Sequence, residues 1–219
     1  MTGPGGPGIA AFTLRAATQA ELDVAFPDAA LHLSASEKSR YARYRQPRDR
    51  HAFATRRAFL RDVLARELGV EAGSVGLTEV GTGKPALAGT AAATLWFSQS
   101  ATPGLTAVAV SRQGAVGVDV ERTDRRVDYA AILAGFFTDR ESNWVHGHPG
   151  ETARQEAFLR LWTAVEATVK ATGEGLASGL GDYRFDWETS SVRHHPGGGS
   201  WMIEHRSQDG CIIAVATPG

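Results

Sequence analysis

Gly117-Val118-Asp119-Val120-Glu121 is followed further along the chain by Trp162-Thr163-Ala164-Val165-Glu166-Ala167-Thr168-Val169-Lys170. In a strand, alternate side chains point to opposite faces. Val118 and Val120 then face a core, and Asp119 and Glu121 project together from the other side. Two adjacent carboxylates repel each other unless a cation joins them. Taken alone, this is also the pattern of an amphipathic strand with a wet acidic face. In the second stretch Trp162, Glu166 and Lys170 are spaced i, i+4, i+8 and line up on one helix face. Taken alone, Glu166 and Lys170 are a surface ion pair worth roughly 0.2–0.5 kcal/mol. Trp162, however, belongs to the apolar stripe Phe158, Leu161, Trp162, Val165 and Val169. Glu166 is thereby set at the edge of the buried region, where an unpaired carboxylate is costly. With the strand pair it would complete an oxygen-only site for a hard cation. Mg²⁺ suits such a site, because it takes a few carboxylates together with phosphate oxygens and water. Lys170, one turn beyond Glu166, is placed to grip a phosphate whose other oxygens meet the metal. No His or Cys cluster points to zinc.

Outward from these stretches, the two halves of the chain follow one plan. The first half opens with a short apolar segment at Phe12–Leu14 and a helix around Ser36–Tyr44. A longer helix over Arg48–Leu68 comes next, with Phe53, Phe59, Leu60, Val63, Leu64 and Leu68 at helical spacing and Gly69 as its stop. Strands are expected at Val75–Val80, Leu95–Ser98 and Leu105–Ser111, with a turn at Gly81–Pro85. The second half opens with the strand Ala115–Glu121. Helical segments follow at Tyr129–Phe137 and Asp139–Val145, then a loop at His146–Gly150 and a strong helix over Thr152–Thr172 ending at Gly173. Late strands fall at Tyr183–Trp187, Ser200–His205 and Cys211–Thr217, with a Gly-rich turn at Pro196–Gly199. The economical reading is α+β: two similar lobes, residues 1–113 and 114–219, each a long helix on a small sheet, with an active site between them.

Composition narrows the setting. The chain has 219 residues, 42% of them hydrophobic, enough for one domain or two small ones. No run of about 18 apolar residues is present, so no membrane span is expected. Met1–Gly8 is rich in Gly and Pro, lacks the parts of a signal peptide, and reads as a loose terminus. A single cysteine, Cys211, excludes an internal disulfide and suits a reducing, cytoplasmic setting. The net charge of −1 hides an asymmetry. Glu37–Glu67 holds ten basic and four acidic residues, so that segment carries +6 and the remainder −7. One region is suited to anions, including a further phosphate, and the turn Gly83-Lys84-Pro85 adds backbone groups and a cation near by.

Several ordered stretches resemble the 4′-phosphopantetheinyl transferases, of the larger, surfactin-synthetase-activating type that forms a pseudodimer in one chain. They are Gly117–Glu121, Phe158–Lys170 with Gly173-Glu174-Gly175-Leu176, Arg56–Arg61, Gly83–Pro85, Phe97-Ser98-Gln99-Ser100 and Phe136–Glu141. The resemblance covers about Ser34 to Leu180. It implies transfer of the phosphopantetheine arm of coenzyme A to a serine of an apo acyl or peptidyl carrier protein, with release of 3′,5′-ADP. Asp119, Glu121 and Glu166 would hold Mg²⁺, or Mn²⁺ in its place, against the pyrophosphate. Glu166 would also take the serine proton, directly or through water, and Lys170 would neutralise charge on the pyrophosphate and leaving group. Arg57, Lys38 and Arg40 would hold the 3′-phosphate, Gly83, Lys84 and Pro85 would line the adenine pocket, and Ser98 and Gln99 would contact coenzyme A. The carrier partners of such enzymes are acidic helical bundles, which suits a basic docking surface. A monomer is expected, since one chain supplies both lobes.

Two positions depart from the family pattern. Gln99 stands where members carry His, and it donates a hydrogen bond without bringing charge. Val165 stands where most have Lys, so one cation beside the site is missing. Both departures predict reduced activity. Glu141 matches an acidic position near the metal in some relatives. The loop residues His146, His148, His194 and His195 read as solvated, Phe136 and Phe137 as core, and Cys211 as buried. Two other readings stay open: a coenzyme A-binding protein without catalysis, and a nucleic-acid binder using the Arg-rich helices, whose binding would be salt-sensitive.

Overall fold

The computed structural model describes residues 10–80, 84–89, 95–173, 179–195 and 199–219. Its contacts divide it into two units, Met1–Leu14 with Trp96–Gly219, and Arg15–Leu95. The expected lobes met at 113/114; by contacts, the strands from Trp96 to Ser111 group with the C-terminal half of the chain. The elements mix helices with mainly antiparallel sheets, in keeping with the α+β expectation.

Strand β1 (Phe12–Thr18) starts in the first unit and leads into the second. Helix α1 (Gln19–Ala25) comes next, capped by Thr18 and Glu21 in a reciprocal capping box. Helix α2 (Ala35–Arg43) starts the same way at Ser34 and Glu37. Helix α3 (Pro47–Leu68) has Pro at its first position and ends at Gly69, whose φ of 69° is the left-handed geometry of a helix stop. Phe53 and Ala54 of α3 pack with Ala29 and Leu33, and Tyr41, Tyr44 and Phe26 flank them. Strands β2 (Leu77–Val80) and β3 (Lys84–Leu87) pair antiparallel, with Glu79 opposite Pro85. Lys84 and Pro85, expected in a turn, lie in β3. Pro85 is tolerated in a strand because this two-stranded sheet leaves an edge where no N–H is needed.

In the other unit, β4 (Trp96–Thr102) and β5 (Leu105–Ser111) form a hairpin beside β1, in the order β1-β5-β4. Strand β5 is buried along its whole length, while β4 buries alternate residues, Ser98, Ser100 and Thr102. Strand β6 (Gly117–Arg122) edges a five-stranded sheet of order β6-β10-β9-β8-β7. Its partners are β7 (Tyr183–Asp186), β8 (Ser191–His194), β9 (Ser200–Gln208) and β10 (Cys211–Pro218). Helices α4 (Tyr129–Phe136), α5 (Asp139–His146) and α6 (Gly150–Thr172) lie between β6 and β7 in sequence.

Helix α6 packs on β6 and β10 and supplies a large share of the core, with Phe158, Leu159, Leu161, Ala164 and Val165 fully or almost fully buried. It stops at Gly173, with φ 78°. A Cβ built on Gly117 would lie 1.8 Å from the Ala167 carbonyl oxygen, so the strand and the helix backbone meet where only glycine fits. In register, Asp119 lies opposite Ala214 and Glu121 opposite Ile212, and both of those partners belong to the α6 core. The face bearing Gly117, Asp119 and Glu121 is therefore the face covered by α6.

Candidate active site

Because α6 crosses so close to β6, its Lys170 reaches the strand. Lys170 Nζ donates to Asp119 Oδ1 at 2.6 Å and to Ser100 Oγ at 3.0 Å, and Ser100 Oγ donates to the same Asp119 oxygen at 2.9 Å. Asp119 is 5% exposed. A buried charge of this kind persists only when paired and hydrogen-bonded, and Lys170 and Ser100 supply that for one oxygen. The other, Asp119 Oδ2, is buried with no hydrogen-bond partner among the described residues. Glu121, two residues on and on the same face, pairs with Arg125. Gln155 of α6 fixes the chain that carries Arg125, donating to the Thr123 carbonyl at 3.0 Å and the Arg125 carbonyl at 2.7 Å.

Glu166 lies one turn before Lys170 on α6 and is half-buried. Burial pushes its carboxyl above the ordinary range, and the negative charges of Asp119 and Glu121 push it further; Lys170 and Arg125 oppose this. Burial likewise raises Glu121, with Asp119 adding to the shift and Arg125 opposing it. Three acids thus share one electrostatic neighbourhood short of positive charge. As they stand, no three His, Cys, Asp or Glu side chains among the described residues are arranged to hold a metal ion. Two features nevertheless fit a divalent cation: the donor set is oxygen only, and Asp119 Oδ2 is a buried acceptor with nothing to accept.

The Arg15–Leu95 unit gathers a second set of charges. Arg57, 5% exposed, places Nη2 3.1 Å from Glu79 Oε1 and Nε 3.5 Å from Glu37 Oε1. Arg40 Nη1 lies 3.1 Å from the same Glu79 oxygen, and Arg61 Nη2 lies 2.7 Å from Glu37 Oε2. Both Arg40 and Arg57 sit over the Phe53 ring.

The expected site residues therefore fall into two groups. Lys170 meets Asp119, and Glu121 and Glu166 feel the charge of both, with buried Ser98 and half-buried Gln99 on the neighbouring strand β4. Arg40 and Arg57 meet at Glu79, opposite Pro85. Lys38 is exposed on α2 and takes no part in that ion-pair network, and Gly83, like Glu174–Leu176, lies outside the described residues. Ser100 is a participant not assigned from sequence; its period-two relation to Ser98 on one face of β4 was the available signal. Two further positions singled out in the sequence have structural tasks. Val165 is fully buried in the α6 core, so an apolar residue there serves packing rather than leaving a gap beside the carboxylates. Glu141 spends its carboxylate on architecture: Oε2 accepts from Thr138 N and Oγ1, and Oε1 accepts from Phe185 N at 2.9 Å.

Residues 115–216, which span β6 to β10, match the sequence model of the 4′-phosphopantetheinyl transferase superfamily. The 4′-phosphopantetheinyl transferase HetI of Nostoc sp. is 32% identical over 194 residues, 88% of this chain and 81% of that protein. The protein slr0495 of Synechocystis sp. is also 32% identical over 194 residues, 84% of this chain and 78% of that protein. The L-aminoadipate-semialdehyde dehydrogenase-phosphopantetheinyl transferase of Pongo abelii is 26% identical over 158 residues, 68% of this chain and 51% of that protein. The residues that converge on Asp119 lie in or beside the matched region, and by sequence and by relatives the chain belongs to the 4′-phosphopantetheinyl transferase superfamily, a family of transferase enzymes.

Proposed function

We propose that this enzyme moves the 4′-phosphopantetheine arm of coenzyme A onto a serine of an apo acyl or peptidyl carrier protein. In the reaction the serine oxygen forms a bond to the phosphorus bearing the pantetheine. The bond from that phosphorus to the bridging oxygen breaks, and 3′,5′-ADP leaves. The observation that carries this reading is the part-buried Lys170–Ser100–Asp119 network, in which Asp119 Oδ2 is a buried acceptor with no hydrogen-bond partner among the described residues.

Each group then has a task. Glu166 accepts the serine proton directly or through one water. Lys170, fixed by Asp119 and Ser100, offers its ammonium to the pyrophosphate oxygens as charge moves to the leaving group. Asp119, Glu121 and Glu166 are the side chains that would hold Mg²⁺ or Mn²⁺, and such an ion would offset the charge on the pyrophosphate. Arg57, Arg40 and Lys38 would receive the 3′-phosphate, Gly83–Pro85 the adenine, and Ser98 and Gln99 the remainder of coenzyme A. The two-lobe, pseudodimeric plan, a monomeric state and a cytoplasmic setting belong to the same reading.

The test is transfer. Incubation of an apo carrier with coenzyme A, Mg²⁺ and this protein should add the mass of one phosphopantetheine arm, read by intact-mass spectrometry. Glu166→Gln should slow transfer by about 10²-fold or more, and Asp119→Asn should abolish it, with circular dichroism unchanged. Coenzyme A binding without mass gain on any carrier tested would leave a binding protein. Full activity in Asp119→Asn would remove the metal assignment.

A further inference from the structure

The charge cluster of the Arg15–Leu95 unit contains two carboxylates held in different ways. Glu37 is built in. Its side chain is 4% exposed, it caps α2 through Ser34, and Arg61 donates to it at 2.7 Å. Glu79 is held only at its tip. Its side chain is 32% exposed, and its strand β2 is four residues long in a two-stranded sheet, an element of marginal stability by itself. Yet one Glu79 oxygen is the point on which the two guanidiniums stacked over Phe53 converge, each at 3.1 Å. The rigid, buried partner is Arg57; the loosely held partner is the carboxylate.

Two guanidinium forks face one acid oxygen, while Arg57 Nε also lies 3.5 Å from Glu37 Oε1 and Arg40 also meets the Tyr44 side chain. A phosphomonoester brings nearly two negative charges and three acceptor oxygens, which suits such forks better. We propose that Glu79 is an internal placeholder: its carboxylate occupies the anion seat of Arg40 and Arg57, and a phosphomonoester group of the ligand displaces it. The placeholder adds a second carboxylate to Glu37 in offsetting the buried charge of Arg57 when no ligand is present, and a buried charge short of partners is destabilising. It also lowers the apparent affinity for the phosphate by the fraction of molecules in which the seat is occupied, which eases release of a phosphate-bearing product. This inference rests on the coenzyme A reading above, in which the displacing group is the 3′-phosphate.

Calorimetry with two nucleotides tests it. Adenosine 3′,5′-bisphosphate carries the second phosphate and adenosine 5′-monophosphate lacks it. In Glu79→Gln the bisphosphate should bind about fivefold more tightly, as expected for removing one competing ion pair, with the monophosphate unchanged. The thermal shift given by saturating bisphosphate should grow in parallel. Glu79→Ala, which removes the side chain's hydrogen bonding as well, should tighten the bisphosphate in the same direction. Unchanged or weaker bisphosphate binding in both variants would overturn the placeholder and make Glu79 a structural tether. If the unaltered protein binds neither coenzyme A nor the bisphosphate and loads no carrier, the proposed function falls. If it loads a carrier and the variants fail to tighten, this inference alone falls.

Discussion

At Asp119 one carboxylate oxygen is satisfied twice over and the other is buried without a partner. That imbalance makes the residue chemically useful. A fully satisfied buried acid is scaffold, whereas one with an open acceptor can take a ligand. His205 on β9 shows the opposite case, a titratable group serving only structure. Its Nε2 lies 3.0 Å from the Arg160 carbonyl, which can only accept, so the ring donates there. Burial lowers its pKa from 6.5 to about 4. The sign comes from linkage. The unfolded chain takes up the proton near 6.5 and the folded one only near 4. The neutral form's contribution is therefore intact above about 6.5 and is lost as pH falls toward 4. The expected loss is roughly 3 kcal/mol over that window. Denaturant melts of the parent and of His205→Gln should differ in slope against pH there. Parallel curves would show that His205 does not set acid stability.

Among the elements, α6 against β6 decides the geometry. Gly117 carries no functional atom, but any side chain there would collide with the Ala167 backbone, one residue after Glu166. Gly117→Ala should therefore push α6 off the strand. The expectation is a stability loss of about 3 kcal/mol and a still larger fall in transfer, because Lys170 would no longer reach Asp119. A variant with parent-like melting and activity would show that the helix adapts. Helix α5 makes a similar point about apparent function. Glu141 caps its own helix and ties β7 to it through Phe185 N. Glu141→Ala should cost about 2 kcal/mol of stability, read by melting, through the lost cap and the unsatisfied Phe185 N–H. Activity per folded molecule should persist.

For the molecule as a whole, charge is distributed unevenly, with +6 in Glu37–Glu67 and −7 elsewhere. Part of that positive charge is spent internally, since Arg57 and Arg61 are buried against Glu37 and Glu79, while Lys38, Arg43, Arg45 and Arg48 remain exposed. If the exposed part meets acidic carrier proteins, raising the salt concentration from about 0.05 to about 0.5 M should raise the KM for the carrier and leave kcat nearly constant. A salt-independent KM would place docking elsewhere. The long helices and their glycine stops are legible in the chain alone, because helical period and glycine's backbone freedom are local properties. Helix α1 and strand β8 escape such a reading and β3 reads as a turn, because short segments carry too few residues for a period to show and Pro85 looks like a breaker. It took the folded arrangement to establish that Ser100 joins Asp119 and Lys170, that Val165 and Glu141 serve packing and capping, and that Glu79 closes on Arg40 and Arg57. Those facts depend on which faces of distant segments meet, and contacts between distant segments leave no periodic trace in a single chain.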